Sequence, residues 1–207
     1  MNSVAPPDHS RADMTESKRL FMALPIPTPI RQLLKDFQKP LQATDLQVKW
    51  QSGKLLHLTL AFLGQQPADR VQDLTTILEN VCREARRFPL QLETLGAFPS
   101  FGHPQILWMG VKPSQALMRL QFTLIRELSL AGYETEPREF QPHITIGRCP
   151  HALSRPQKQA IQHMLATPCS FGDKGGWEAD RMHLYESRTD EHGLHYTPLS
   201  GMLFPEA

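Results

Sequence analysis

Cysteine is scarce in this chain, and what there is does not pair. Only Cys82, Cys149 and Cys169 occur among 207 residues. The number is odd and no two stand in C-x-x-C spacing, which argues against a disulfide framework and against a cysteine zinc site. Reduced thiols suit the cytosol, so a cytoplasmic protein is expected. Long apolar runs are missing too. None reaches the ~18 residues of a membrane span, so no membrane partner is expected. Residues 1–17 hold Pro, Asp, Ser and Arg without an apolar stretch, so they read as a flexible tail and not as a secretory signal. The chain also lacks a charge imbalance. Its formal net charge is +1, whereas a protein that wraps long duplex nucleic acid needs a strongly basic face. A local basic pocket for a small anion or a strand end remains compatible with neutrality.

What is present is a core. Hydrophobic residues make up 40% of the chain, enough for one compact unit over residues 18–207. Arg19–Pro25 is short and apolar and reads as a buried strand. Thr28-Pro29 opens a helix through Ile30, Leu33, Leu34, Phe37 and Leu41. Leu46–Trp50 reads as a short strand, and Leu55–Leu63 as a longer one ended by Gly64. Asp69 caps a helix with Val71, Leu74, Leu78, Val81 and Cys82 on one face. Leu90–Leu95 and Gln105–Val111 read as strands flanking a loop, Ala97–Pro104. Ser114 caps a helix through Leu117, Leu120, Leu124 and Leu128 that Gly132 stops. Gln141–Arg148 follows as a strand and Ser154–Leu165 as a helix. Trp177–Ser187 and Tyr196–Phe204 are the last strands. The mixture predicts an α+β fold: two pseudo-symmetric lobes of mainly antiparallel strands, helices outside, and a cleft between them. No long apolar helix surface stands out, so a monomer is expected.

Two of the strands carry the same signature, His57-Leu58-Thr59-Leu60 and His143-Ile144-Thr145-Ile146. Residues two apart in a strand share a face. Each strand thus turns an imidazole and a hydroxyl one way and aliphatic side chains the other. Nine His and thirteen Thr in 207 residues give about 0.6 His-x-Thr coincidences by chance. Three occur. The third, His195-Tyr196-Thr197, is followed by Pro198 and preceded by a polar, glycine-containing stretch. It reads as a strand entry and as the accidental match. His192 and His195 are loop residues on this reading, with no metal site. His103, between Gly102 and Pro104, reads as a turn residue, and Cys82 as helix core.

The paired motifs resemble those of the 2H phosphoesterase superfamily. More closely, the chain resembles the bacterial RNA 2′,3′-cyclic phosphodiesterases, long called 2′-5′ RNA ligases. The resemblance runs from about Lys18 to about Phe204 through RLFMALPIP, VKWQSGKLLHLTLAFLG, LGAFPS, ILWMGV, FQPHITIGR and LYES. It departs at LPIP, where many relatives carry an acidic residue before the proline, and this does not touch the chemistry.

A cyclic phosphodiester needs a base for the attacking water, an acid for the leaving ribose oxygen and donors for the phosphate oxygens. Two imidazoles with ordinary pKa near ~6.5 suit the first two tasks. Thr59 and Thr145 can donate to the phosphate. No metal or other cofactor is required by this chemistry. The two motifs are nearly interchangeable, so the residues themselves do not divide the roles. The resemblance implies His57 as proton donor and His143 as acceptor, giving a 2′-phosphomonoester. It also implies that Arg148 holds the phosphate and that Phe62 packs on the base. Arg148 lies at an odd offset from His143, so a regular strand would aim it away from the cleft; a bend or strand end at Gly147 is required. Trp50, read first as a core residue, and Tyr185 are further candidates for the substrate wall together with Ser187, and Lys54 reads as a solvated lysine that can also attract RNA. The expected partner is RNA with a 2′,3′-cyclic phosphate end, tRNA halves included, or a small cyclic nucleotide. Two other readings stay open: reversible 2′-5′ ligation by the same residues, and a non-catalytic module that binds RNA ends.

Overall fold

The computed structural model describes residues 16–42, 48–135, 139–149, 153–166, 171–191 and 193–206. Along the chain come β1 (Ser17–Pro25), α1 (Thr28–Gln42), β2 (Lys49–Trp50), β3 (His57–Pro67), α2 (Arg70–Glu84), β4 (Phe88–Ser100), β5 (His103–Val111), α3 (Gln115–Leu130), β6 (His143–Arg148), α4 (Arg155–Ala166), β7 (Gly176–Ala179), β8 (Arg181–Asp190) and β9 (Gly193–Leu203). The strands form one nine-stranded sheet in the order β7-β4-β5-β6-β3-β1-β8-β9, with β2 also on β6. All the pairings are antiparallel. The expected lobes are the two four-stranded halves of this sheet, and the strands that join them are β3 and β6. The α+β fold is therefore as expected.

Only Asp180 separates β7 from β8, yet β7 pairs with β4 at one edge and β8 pairs with β1 near the other. A single residue cannot span a flat sheet of this width, so the sheet has to curl until its ends approach. The closure is visible in Phe204 N–H donating to the Asp180 carbonyl at 2.7 Å and in the stacked rings of Phe88 and Phe204. Helices α2 and α3 cover the back of the β3-β1-β8-β9 half. Leu74, Leu78, Leu117, Leu124 and Leu128 are fully buried there at helical spacing. Each such side chain contributes about 1.5–3 kcal/mol by leaving water. Helix α4 packs behind β4 and β5.

Four expectations are corrected. Ala97–Pro104 is not a loop: β4 and β5 continue as a tight hairpin turning at Phe101-Gly102, and His103 opens β5 opposite Ser100. The cause is packing, because the Trp108 ring lies flat on Gly96, where a Cβ would come within 2.1 Å of it. Gly64 does not end β3. It takes φ +67 inside a strand that runs on to Pro67. The Asp69 side chain makes no cap hydrogen bond and its backbone is already helical. Trp177–Ser187 is two strands on different halves of the sheet. By contrast Ser114 caps α3 as expected, its Oγ accepting from Leu117 N–H at 3.2 Å. Of the strand expected at Leu46–Trp50, Lys49–Trp50 is present, and residues 46 and 47 lie outside the described residues, as do Cys169, His192 and residues 1–15 of the expected tail.

Candidate active site

Strands β3 and β6 meet at one residue pair, Leu58 opposite Ile144. Both are fully buried. Directly opposed residues in an antiparallel pair share a face. His57, Thr59, His143 and Thr145 flank that pair and so take the other face together, with His57 across from Thr145 and Thr59 across from His143. The two imidazoles are close enough that charge on His143 depresses protonation of His57. The pairing that the two motifs required is present.

Past each motif the strand bulges. Trp108 faces Thr145 and Leu107 faces Gly147, which leaves Ile146 without a partner on β5. On β3, Ala23 faces Thr59 and Met22 faces Ala61, which leaves Leu60 unmatched. An extra residue reverses the alternation of faces. Arg148 is thereby opposite Ile106, on the same side as Trp108 and Thr145, and Phe62 is opposite Phe21, on the same side as Thr59. The bend expected at Gly147 is a bulge one residue earlier. It is held by the carbonyl of Ile146, which accepts from Gln38 Nε2 at 2.8 Å and from Gln51 N–H at 2.9 Å. Gln38 comes from α1, is 1% exposed, and also donates to the Gln51 carbonyl at 3.1 Å.

The two histidines are held in the same way. His57 Nδ1 lies 2.8 Å from the Leu55 carbonyl, and His143 Nδ1 lies 2.7 Å from the Gln141 carbonyl. A carbonyl only accepts, so Nδ1 carries the hydrogen in each ring and Nε2 is left for chemistry. Aromatic rings wedge both imidazoles. Tyr196 stands edge-on to His57 at 5.0 Å with Phe21 at 4.8 Å. Phe98 stands edge-on to His143 at 5.0 Å with Trp108 at 5.9 Å. Burial pushes His57 down from 6.5 to about 4, with smaller contributions from His143 and Arg148. Burial also lowers His143. Burial thus disfavours the charged form of both rings. The hydroxyls of Thr59 and Thr145 have no hydrogen-bond partner among the described residues.

The other candidates divide. Phe62 is 46% exposed on the cleft face. Tyr185 stacks on Phe21 at 5.2 Å and its hydroxyl meets His183 Nδ1 at 3.0 Å. Ser187 pairs with Tyr196. Trp50 is not brought to the cleft. Its ring lies over Gly147, where a Cβ would meet Trp50 Cε3 at 3.2 Å. Gly147 faces away from its neighbour Arg148, so Trp50 is a packing residue on the opposite side. Lys54 is in the short turn before β3. His195 lies 3.7 Å from Asp190 on the β8–β9 hairpin, and no metal-holding cluster occurs among the described residues. Cys82 is helix core, fully buried. The sequence reading missed Phe21, Phe98, Trp108, Tyr196, His183 and Gln38. Tyr196 belongs to the His-x-Thr match set aside as a strand entry. It lies inside β9, and the register of the β8–β9 hairpin is what carries it to the cleft.

The family model of the 2′-5′ RNA ligase superfamily matches residues 26–191, and the chain belongs to that family. An RNA 2′,3′-cyclic phosphodiesterase of Thermotoga maritima is 33% identical over 184 residues, 87% of this chain and 92% of that one. One from Escherichia coli is 28% identical over 196 residues, 90% and 96% of the two chains. Among solved structures, E. coli LigT complexed with 3′-AMP superimposes with a TM-score of 0.74 at 25% identity, covering 91% of this chain and 99% of that one. TT0787 of Thermus thermophilus gives 0.76 at 25% identity, covering 91% and 98%. No described helix is long and apolar enough to cross a membrane.

Proposed function

We propose that this protein hydrolyses the 2′,3′-cyclic phosphate at an RNA end to a 2′-phosphomonoester, with His57 as general acid and His143 as general base. The observation that carries the reading is the matched pair of imidazoles. They lie on one face of two neighbouring strands, each with Nδ1 tied to a carbonyl and Nε2 free. The activity follows the relatives named RNA 2′,3′-cyclic phosphodiesterase, and the division of roles follows the family resemblance. His143 Nε2 takes a proton from water as the water oxygen attacks phosphorus. The bond from phosphorus to O3′ breaks, and His57 Nε2 delivers its proton to that oxygen. Thr59, Thr145 and Arg148 donate to the non-bridging oxygens, where charge concentrates.

Burial works against the protonated form of His57. An acid must be charged before it can donate. The phosphodiester is an anion, and an anion beside an imidazole favours its charged form. The acid is therefore made by the substrate on arrival. Phe62 and Tyr185 form an apolar wall suited to stacking on a base. The same groups run in reverse would join a cyclic phosphate end to a 5′-hydroxyl. The family's name favours that second reading where RNA ends are concentrated. We take the working unit to be a monomer in the cytoplasm. ³¹P NMR of a nucleoside 2′,3′-cyclic phosphate incubated with the protein tests the proposal. A 2′-monophosphate signal is expected, and binding without any new phosphorus signal would leave only a binding module.

A further inference from the structure

The cleft face of the β3-β1-β8-β9 half carries a second basic position that the reaction does not use. Arg19 on β1 is opposite Gln65, Phe21 opposite Phe62, Ala23 opposite Thr59 and Pro25 opposite His57. Arg19 thus shares its face with the catalytic row. The register of β1 with β8 pairs Leu20 with Glu186 and Phe21 with Tyr185, and its continuation past the last paired residues points Arg19 towards Ser187, whose partner on β9 is Tyr196. The Tyr196 hydroxyl, without a hydrogen-bond partner among the described residues, feels the charges of both Arg148 and Arg19. Tyr196 is thus near enough to feel both guanidiniums.

The pairing of neighbouring charges makes Arg19 distinctive. Lys18 and Arg188, on the other face of the same strands, are neutralised by Glu186, which is 5% exposed, and by Glu16. Arg19 has no carboxylate within ion-pair distance among the described residues, and neither has Arg148. Two unpaired guanidiniums on one face, bridged by an aromatic floor of Phe21, Tyr185 and Tyr196, match a strand carrying phosphates on both sides of one nucleoside.

Building on the hydrolase reading, we propose that Arg19, with Ser187 and Tyr196, is a second phosphate subsite. It receives the phosphate on O5′ of the terminal nucleoside, so the substrate class is an RNA strand, or a 5′-phosphorylated nucleotide, rather than a bare nucleoside cyclic phosphate. The test compares adenosine 2′,3′-cyclic phosphate with the dinucleotide ApA ending in the same group. It adds a form of the dinucleotide whose internal linkage is a neutral methylphosphonate. Wild type should favour the charged dinucleotide over the nucleoside by about tenfold in kcat/KM, and the methylphosphonate should lose that advantage. Arg19→Gln should collapse the ratio between dinucleotide and nucleoside towards one. It should also lower the slope of log KM against log salt for the dinucleotide by about 0.7. Equal use of both substrates by wild type, or a ratio that survives in Arg19→Gln, would each overturn the subsite. No turnover of either substrate would overturn the hydrolase reading itself, and this inference with it.

Discussion

The buried side-chain amide of Gln38 donates 2.8 Å to the carbonyl of Ile146, the residue that has no partner on β5. Through this contact a helix at the outside of the fold holds the bulge that turns Arg148 into the cleft. Gln38→Leu would leave the Gln51 carbonyl without its side-chain donor and the Ile146 carbonyl with one donor of two. We expect a stability loss of about 1–3 kcal/mol in denaturant titration. We also expect KM for a cyclic phosphate to rise more than kcat falls, because phosphate holding is what loosens. An unchanged KM would show that the bulge does not depend on Gln38.

Removal of either imidazole is expected to cost about 10²–10⁴ in kcat, the usual contribution of one general acid or base. His57→Ala and His143→Ala should both show it in steady-state turnover, and circular dichroism should show the fold intact. Turnover by wild type should persist in a chelator, because the proton transfers are assigned to the two imidazoles. Full activity in either variant would reject the site.

Phe62 is 46% exposed, and its ring centroid lies 6.3 Å from that of Phe21 in a tilted pair. Phe62→Ala should leave the melting temperature within error and weaken binding of a nucleoside 2′,3′-cyclic phosphate by about 1–3 kcal/mol. The effect should vanish with a ribose cyclic phosphate that has no base. A loss of equal size on both substrates would mean that the ring shapes the phosphate site and does not stack on the base.

The pH dependence of stability has a definite sign. The unfolded chain takes up a proton at His57 near 6.5, whereas the folded protein does so only near 4. Between those values the unfolded state binds more protons, so stability falls as pH is lowered through that window and levels off above it. His143 and His183, also lowered by burial, act in the same direction. His57→Asn should flatten part of the slope in denaturant midpoints measured from pH 4 to 7. Identical slopes in variant and wild type would contradict the burial of this ring.

Much of the site was legible in the sequence because period-two alternation is local. Each His-x-Thr strand shows within four residues which side is aliphatic and which is polar. Arg148 was legible as a difficulty, since its odd offset demanded a break in the strand, and the bulge at Ile146 supplies it. The sequence left Trp50 open between core and cleft and missed Tyr196, for one reason. Which face a strand residue reaches depends on register with its partner strand, here the distant β6 for Trp50 and the adjacent hairpin strand β8 for Tyr196. The hairpin of β4 and β5 was hidden by a Pro-, Ser- and Gly-containing stretch whose pairing rests on the Trp108 ring lying over Gly96. That contact joins residues 96 and 108 across the turn, and no residue preference announces it.

The claim beneath these predictions is that His57 and His143 act on one phosphorus. The most direct measurement is an NMR titration of the two imidazole Hε1 signals with a nucleoside 2′-monophosphate, the proposed product. Both signals should move along one binding curve, and both titration midpoints should rise in the complex as the phosphate favours the charged rings. Movement of one ring alone, or of neither while the nucleotide binds, would contradict the account.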